Sequence, residues 1–487
     1  MRRLFIGCYM RMTWNKLLST KRTRELMGGR ASRTGDLRDE FRRDYGRVVF
    51  STPLRRLQDK AQVFPLEDHD AVRTRLTHTG EVSSIAQDIA QQICTKLWNE
   101  KKINYNQSKA IETIAMTCAL LHDMGNPPFG HAGEDSIADW FKKHTNDEDF
   151  WEGIVGRGEK EDLSSDQLKN DFLEFEGNAQ TIRLIAKLQL LNDMHGLNMT
   201  AGTVSAALKY VAGSHQLDSE RQQFKKHGYF ASESEIVAKV RKITGTGSNS
   251  APLRNPITFI VEAADDLAYA SVDLEDAIRK KVIAWDELKE GLISEAAGLG
   301  VKPKMKELLA EAKKLIDGYA ELPMSPWDRA EGYAIMFRTR LIATGAGAAV
   351  DVFHENYNPI MEGKMDKALL DQHEAGKLVK AAKSFAAKQI YPHTSRLELL
   401  GRNVIHQLMD FFWAELKACP KMETIKPSTF RSKAIKLISS NYRHIYESQK
   451  SQGKLPARYM EFQLITDYIS GMTDSFACSL HRKIFNG

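Results

Sequence analysis

Nowhere in these 487 residues do eighteen apolar side chains stand in a row, so a membrane-spanning helix is not expected. The opening stretch Met1–Met10 begins with basic residues, but its apolar part is too short for a signal peptide. Cysteine is scarce. The five residues Cys8, Cys94, Cys118, Cys419 and Cys478 are scattered and odd in number. That excludes a disulfide framework and fits buried thiols in a reducing cytoplasm, with Cys94 and Cys118 at apolar helical positions. No Pro/Ser-rich linker divides the chain, although it exceeds one typical core in length. Nothing resembles an RNA-recognition motif, a helix-turn-helix or a zinc finger.

Alternating strand patterns are scarce as well, while helical patterns are long. They run over 82–98, 107–123, 180–192, 258–281, 304–319, 366–387, 395–418 and 459–485. The expected fold is mostly α, one large helical body with little β structure. Short β pieces are expected near Phe50 or Tyr229, and exposed loops over Gly153–Asp171 and Thr244–Pro256.

The densest chemistry lies in Leu120-Leu121-His122-Asp123-Met124-Gly125-Asn126-Pro127-Pro128-Phe129-Gly130-His131-Ala132-Gly133-Glu134. Upstream of it, Ile111, Ile114, Ala115, Cys118 and Leu121 recur at helical spacing. Gly125 offers a stop, and Pro127-Pro128 cannot continue a helix. His122 and Asp123 therefore fall on the last turn of a mostly buried helix. Neighbours on a helix point about 100° apart, so both reach one ion only near an end where the backbone opens. Two readings stay open for the doublet: a pair of metal ligands, or a C-terminal cap with a salt bridge.

Further ligands can come from other helices. His78 stands near the first turn of an amphipathic pattern marked by Val82, Ile85, Ile89 and Ile93. Asp265 and Asp266 directly follow Phe259-Ile260-Val261-Glu262-Ala263-Ala264, a run that should be buried. Asp265, Tyr269 and Asp273 are four apart and so share one helix face. Two histidines and two aspartates from three helices would suit a hard or borderline divalent ion with open positions.

His78 … His122-Asp123 … Asp265 resembles the H…HD…D signature of the HD-domain metal-dependent phosphohydrolases. The blocks Arg55–Phe64, Arg75–His78, His122–Glu134, Phe175–Gln180, Glu262–Asp266 and Asp467–Asp474 further resemble the bacterial deoxyguanosine triphosphate triphosphohydrolases. They occur in that family's order across nearly the whole chain. The resemblance implies hydrolysis of dGTP, or of other deoxynucleoside triphosphates, to deoxynucleoside and inorganic triphosphate. It implies a divalent metal, Mg²⁺ or Mn²⁺, on His78, His122, Asp123 and Asp265. His131 would lie beside the α-phosphate as general acid or as orienter of the attacking water, with Glu134 coupled to it. The bland alternative for that pair is a helix N-terminal Glu with a nearby capping His.

Substrate contacts implied in the same way are Arg75 on the α-phosphate, Gln62 on the sugar, and Tyr269 with Asp273 at the 3′-hydroxyl. Asn178, Lys209, Tyr210 and Lys226 resemble positions that grip the triphosphate, although Lys209 and Lys226 could equally be surface charges. Base readout is expected in the C-terminal helices near Glu398, Arg402 or Arg431. The resemblance organises the chain as a basic segment over 1–59, an HD core over 60–290 and a helical part over 291–487 packed on it. Relatives begin near a segment like Met12–Lys16, which implies a misassigned start over residues 1–11. They are commonly hexamers or tetramers, so a homo-oligomer is expected.

Net charge is +6, from 69 Lys and Arg against 63 Asp and Glu. Over Met1–Lys60 the imbalance is stronger, 16 basic against 6 acidic residues. The bland account is helix surface plus arginines facing a tetra-anionic substrate. The sharper one is a surface for single-stranded DNA as an effector, since some members of the family are activated by it.

Overall fold

The computed structural model describes residues 11–30, 39–63, 72–154, 165–189, 194–318, 323–417 and 429–485. The stretch Met1–Met10 and the end of the Arg55–Phe64 block, Phe64, lie outside them.

Polar residues at helix starts lay out the frame. Asp39 accepts from the backbone N–H groups of Phe41 and Arg42 and opens α1 (Glu40–Val49). Thr74 and Asn104 each close a capping box, with Thr77 and Gln107, and open α2 (Arg75–Asn99) and α3 (Tyr105–Leu121). The helix α4 (Gly130–Lys142) begins differently, after the left-handed residue Phe129. Glu176 caps α5 (Gly177–Arg183), which relaxes into a π-helical turn over Leu184–Leu188. Asn255 caps α6 (Pro256–Arg279), whose proline sits in the first turn, where its missing N–H is no loss. Then follow α7 (Pro326–Glu355), α8 (Glu374–Gln389), α9 (Ser395–Lys417), α10 (Ala457–Ser470) and α11 (Asp474–Phe485).

The fold is mostly α, as expected. Among the described residues the strands are β1 (Ala212–Gly213) and β2 (His227–Tyr229), paired in parallel. The β piece expected at Tyr229 is there. At Phe50 it is not: that residue ends α1 and stands 81% exposed. Of the loop expected over Gly153–Asp171, residues 155–164 lie outside the described residues, and a helix covers Ser165–Leu173. In it Asp171 is buried, accepting from Ser214, Tyr459 and the Ala231 N–H. Over Thr244–Pro256 the chain is irregular, but Thr246, Arg254 and Asn255 are buried rather than exposed. The 459–485 pattern breaks at Gly471–Thr473 into α10 and α11, and the 366–387 pattern becomes helical for good only at Glu374.

Two apolar cores form. One gathers Val82, Ile89, Ile114, Leu267, Leu274, Phe337 and Phe385 from α2, α3, α6, α7 and α8. The other gathers Leu121, Phe141, Phe172, Ile182, Phe412 and Phe462 from the end of α3, α4, the Ser165–Leu173 helix, α5, α9 and α10. Helix α3 passes from one to the other: Cys118 and Ala119 belong to the first, Leu120 and Leu121 to the second. Each fully buried Val, Leu, Ile or Phe side chain in these cores contributes roughly 1.5–3 kcal/mol. Residues 122–131 are therefore held where the cores meet, anchored from both sides. Among the described residues, no helix is long and apolar enough to cross a membrane.

Candidate active site

Three helices aim four ligand-type side chains at one point. His78 is on the first turn of α2 and buried, Asp265 is midway along α6, and His122-Asp123 directly follow the last residue of α3. The Nε2 atoms of His78 and His122 lie 3.5 and 3.4 Å from Asp265 Oδ1, and His122 Nε2 lies 3.6 Å from Asp123 Oδ2. His78, His122 and Asp123 each offer a donor atom within 4.8 Å of the others. Donors bound to one ion at about 2.0–2.2 Å stand roughly 3 Å or slightly more apart, so these spacings fit a shared ion. The cap and the salt bridge of the second reading are present, and they leave the first open. His122 Nδ1 lies 2.6 Å from the carbonyl of Ala119, which can only accept, so Nδ1 carries the hydrogen. Nε2 is thereby the nitrogen turned toward Asp123 and Asp265.

Charge around the cluster is arranged to tolerate a cation. Burial pulls the His122 imidazolium down, but Asp123 and Asp265 prevail and hold its pKa up at about 9. Burial works against both carboxylates too. Arg75, whose Nη1 is 2.8 Å from Asp123 Oδ2, holds Asp123 well below the usual range. Lys209, whose Nζ is 3.2 Å from Asp265 Oδ2, does the same for Asp265.

Beyond Asp123 the chain turns tightly. A Cβ on Gly125 would fall 2.0 Å from the Gly177 carbonyl, so this turn rests directly on the start of α5. After Pro127-Pro128, Phe129 adopts φ 65° and Gly130 φ 62°. For Phe129 that left-handed conformation costs roughly 1–2 kcal/mol. It starts α4 so that His131 faces the cavity. His131 Nδ1 lies 2.8 Å from Glu134 Oε2, while Glu134 Oε1 accepts from the Gly177 N–H at 2.9 Å. Glu134 thus bonds to another helix and not to its own N-terminus, which removes the capping alternative. The bond and charge of Glu134 raise the His131 pKa. Burial pushes Glu134 up, but His131 wins and holds it lowered.

A cavity of about 320 Å³ opens over these groups. Of the expected residues, Gln62, Arg75, His78, His122, Asp123, His131, Asn178, Lys209, Asp265, Tyr269 and Glu398 line it. Gln62 Oε1 and Arg75 Nε are buried without a protein partner, an orphaning that suits a ligand. Glu134, Tyr210, Lys226 and Asp273 are not among the lining residues; Glu134 and Asp273 bond to His131 and Tyr391, which are. Lys226 pairs with Glu176 at 2.5 Å, and buried Asp273 accepts from the Tyr391 hydroxyl at 2.7 Å. Burial lifts Asp273 to about 7. Arg402 and Arg431 are not in the wall; they face Asp139 and Glu415.

Sequence reasoning missed Lys383, Tyr391 and Thr394, which also line the cavity. Lys383 pairs with Asp266 and lies 5.8 Å above the Tyr269 ring, and Tyr391 packs 6.2 Å from Tyr269. Their only local signal is the Tyr391-Pro392-His393-Thr394 break between two helical patterns.

Two family models match the chain: the HD domain over residues 75–212 and the phosphohydrolase-associated domain over 372–483. The first spans His78, His122-Asp123, His131 and Lys209; the second spans Lys383, Tyr391 and Glu398, so both contribute to the cavity. A deoxyguanosinetriphosphate triphosphohydrolase-like protein of Listeria innocua is 34% identical over 485 residues, covering 97% of this chain and 99% of the relative. Its counterpart in Listeria monocytogenes is 33% identical at the same coverage. A deoxyguanosinetriphosphate triphosphohydrolase of Yersinia enterocolitica is 32% identical over 484 residues, 91% of this chain and 93% of that one.

Proposed function

The chain belongs to the HD-domain deoxyguanosinetriphosphate triphosphohydrolase family, and from that premise we propose that it cleaves dGTP, and other deoxynucleoside triphosphates, into deoxynucleoside and inorganic triphosphate. The observation that carries this reading is the division of labour around one cavity. Four ligand-type side chains meet on one wall, and His131, bonded to Glu134 behind it, faces the same space.

The donor set of His78, His122, Asp123 and Asp265 suits Mg²⁺ or Mn²⁺. Such an ion supplies Lewis-acid polarisation of the α-phosphate and makes water a competent nucleophile near neutral pH. The remaining roles fall to the chain itself. Water adds to the α-phosphorus, and the bond from that phosphorus to O5′ breaks. His131, with Nδ1–H given to Glu134, keeps Nε2 for the departing O5′ and, as imidazolium, hands it a proton. Glu134 makes that protonated form persist to higher pH. Arg75 and Lys209 on the cavity wall, with Lys226 outside it, spread positive charge for the triphosphate, and Asn178 and Tyr210 offer it hydrogen bonds. Gln62 and Tyr269 take the sugar, with Asp273 and Tyr391 bonded beneath. In this reading the protein is a cytoplasmic homo-oligomer, and single-stranded DNA is an effector to be tested by activity and gel mobility at low salt.

Incubation with each deoxynucleoside triphosphate and Mn²⁺ or Mg²⁺, followed by anion separation, tests the reaction. Triphosphate equal in amount to deoxynucleoside is expected. Release of pyrophosphate or monophosphate would instead assign the site to another phosphoester, as in an HD-type nucleotidase or phosphodiesterase.

A further inference from the structure

Phe129 is a bulky residue in a left-handed conformation, and such a backbone persists only where its surroundings hold it. It is the N-cap of α4, yet its side chain makes no capping bond. His131 is the second residue of that helix, and its side chain is 69% exposed. Packing therefore does not fix the imidazole. Its place depends on the Glu134 bond and on the direction in which the backbone leaves Phe129 and Gly130.

That direction is held from the far end of the chain. Asp474, 1% exposed at the start of α11, accepts from the Phe129 N–H through Oδ1 at 2.9 Å. Its Oδ2 accepts from the Ala61 N–H at 3.1 Å, next to Gln62. The buried Lys60 ammonium donates to the carbonyls of Asn126 and Ser470, so residues 470–474 hold the turn at its entry as well as its exit. The Phe129 ring is buried against α9, where a Cβ on Gly401 would fall 2.6 Å from Phe129 Cγ. Asp474 itself does not line the cavity.

We propose that Asp474 is a positioning residue for His131: by holding the Phe129 N–H, it fixes the left-handed turn that points the imidazole at the cavity. This rests on His131 being the proton-handling group. A carboxylate suits the task because it only accepts, and two N–H groups face its two oxygens. An asparagine of the same shape must turn its NH2 toward one of those N–H groups, setting donor against donor.

The test compares full-length wild type with Asp474→Asn and Gly401→Ala, which disturb Phe129 from opposite sides. A misplacement of about 1 Å costs on the order of a hundredfold in rate. Asp474→Asn is therefore expected to lose about ten- to a hundredfold in kcat on dGTP, with KM and bound metal within about twofold of wild type. The alkaline limb of its pH profile should also move, as the His131–Glu134 geometry loosens. Gly401→Ala should shift kcat in the same direction. Unchanged kcat in both variants would overturn the proposal, and so would a loss carried by KM or by metal content. If Asp474→Asn does not fold, Gly401→Ala decides alone by the same criteria. Should the wild type cleave a different phosphoester, kcat and KM are compared on that ester, so the substrate reading and this proposal are judged separately.

Discussion

The imidazole of His131 and the carboxylate of Glu134 are joined at 2.8 Å, one helical turn apart on the same face of α4. The negative charge of Glu134 favours the imidazolium, so His131 keeps its proton to higher pH than an ordinary histidine. If that proton goes to O5′, activity falls as pH rises through the raised value. His131→Ala should lower turnover by about 10²–10⁴-fold. Metal content should stay near wild type, because His131 is not among the four proposed ligands; loss of the metal would show that assignment to be wrong. Glu134→Gln removes the charge that raises His131 and should move the alkaline limb to lower pH. A limb that stays in place would exclude this coupling.

Tyr269 lies on the same face of α6 as Asp265 and lines the cavity beside Tyr391. At that place a ring can crowd out a ribose 2′-hydroxyl. Tyr269→Ala should raise the GTP rate relative to dGTP, measured as the ratio of the two kcat/KM values. Unchanged rejection of GTP would count against Tyr269 as the sugar gate.

Local chemistry was legible in the sequence wherever it was contiguous or periodic. His122-Asp123 at a helix end, His131 and Glu134 one turn apart, and the 265–269–273 stripe all follow from spacing within one element. Asp265 joining His78 needed the family pattern, since nothing local sets a distance between α2 and α6. Tyr391 and Lys383 escaped because they reach the cavity from helices more than a hundred residues further on. Helix α7 escaped for another reason: the middle of its buried face is Gly345, Ala346, Ala348 and Ala349, which let Leu267 approach closely and interrupt the apolar stripe of Phe337, Leu341, Val352 and Phe353. Phe50 misled because β-favouring residues there, Val48 and Val49, end a helix begun by a strong Asp39 cap.

Asp273 carries a pH signature of its own. Its folded value of about 7 lies above the ordinary carboxylate value, chiefly because it is buried. The folded protein therefore binds a proton that the unfolded chain releases between about pH 4 and 7. This contribution is present below pH 4 and is lost as pH rises through 7. Asp273→Asn removes that slope, so urea unfolding at pH 5 and pH 8 should show the variant gaining on wild type at pH 8, by on the order of a few kcal/mol. An equal difference at both pH values would contradict the assignment.

Removal of the metal should stop turnover without unfolding the chain. Helices α2, α3 and α6 are held by an extensive apolar core, and Arg75 and Lys209 already compensate Asp123 and Asp265. After chelation the far-UV circular dichroism should be unchanged, and added Mn²⁺ or Mg²⁺ should restore activity. A site at 100-fold excess of metal over Kd adds about 2.7 kcal/mol of stability, so a modest fall in Tm is expected. Collapse of the helical signal would mean that the ion is a structural clamp.

The central claim concerns which bond breaks, and oxygen-18 water reads it directly. Attack at the α-phosphorus places one solvent oxygen on the triphosphate and leaves the deoxynucleoside O5′ unlabelled. Mass spectrometry of the two products after turnover of dGTP should show label in triphosphate alone. Label in the deoxynucleoside, or in pyrophosphate released beside a nucleoside monophosphate, would contradict the account.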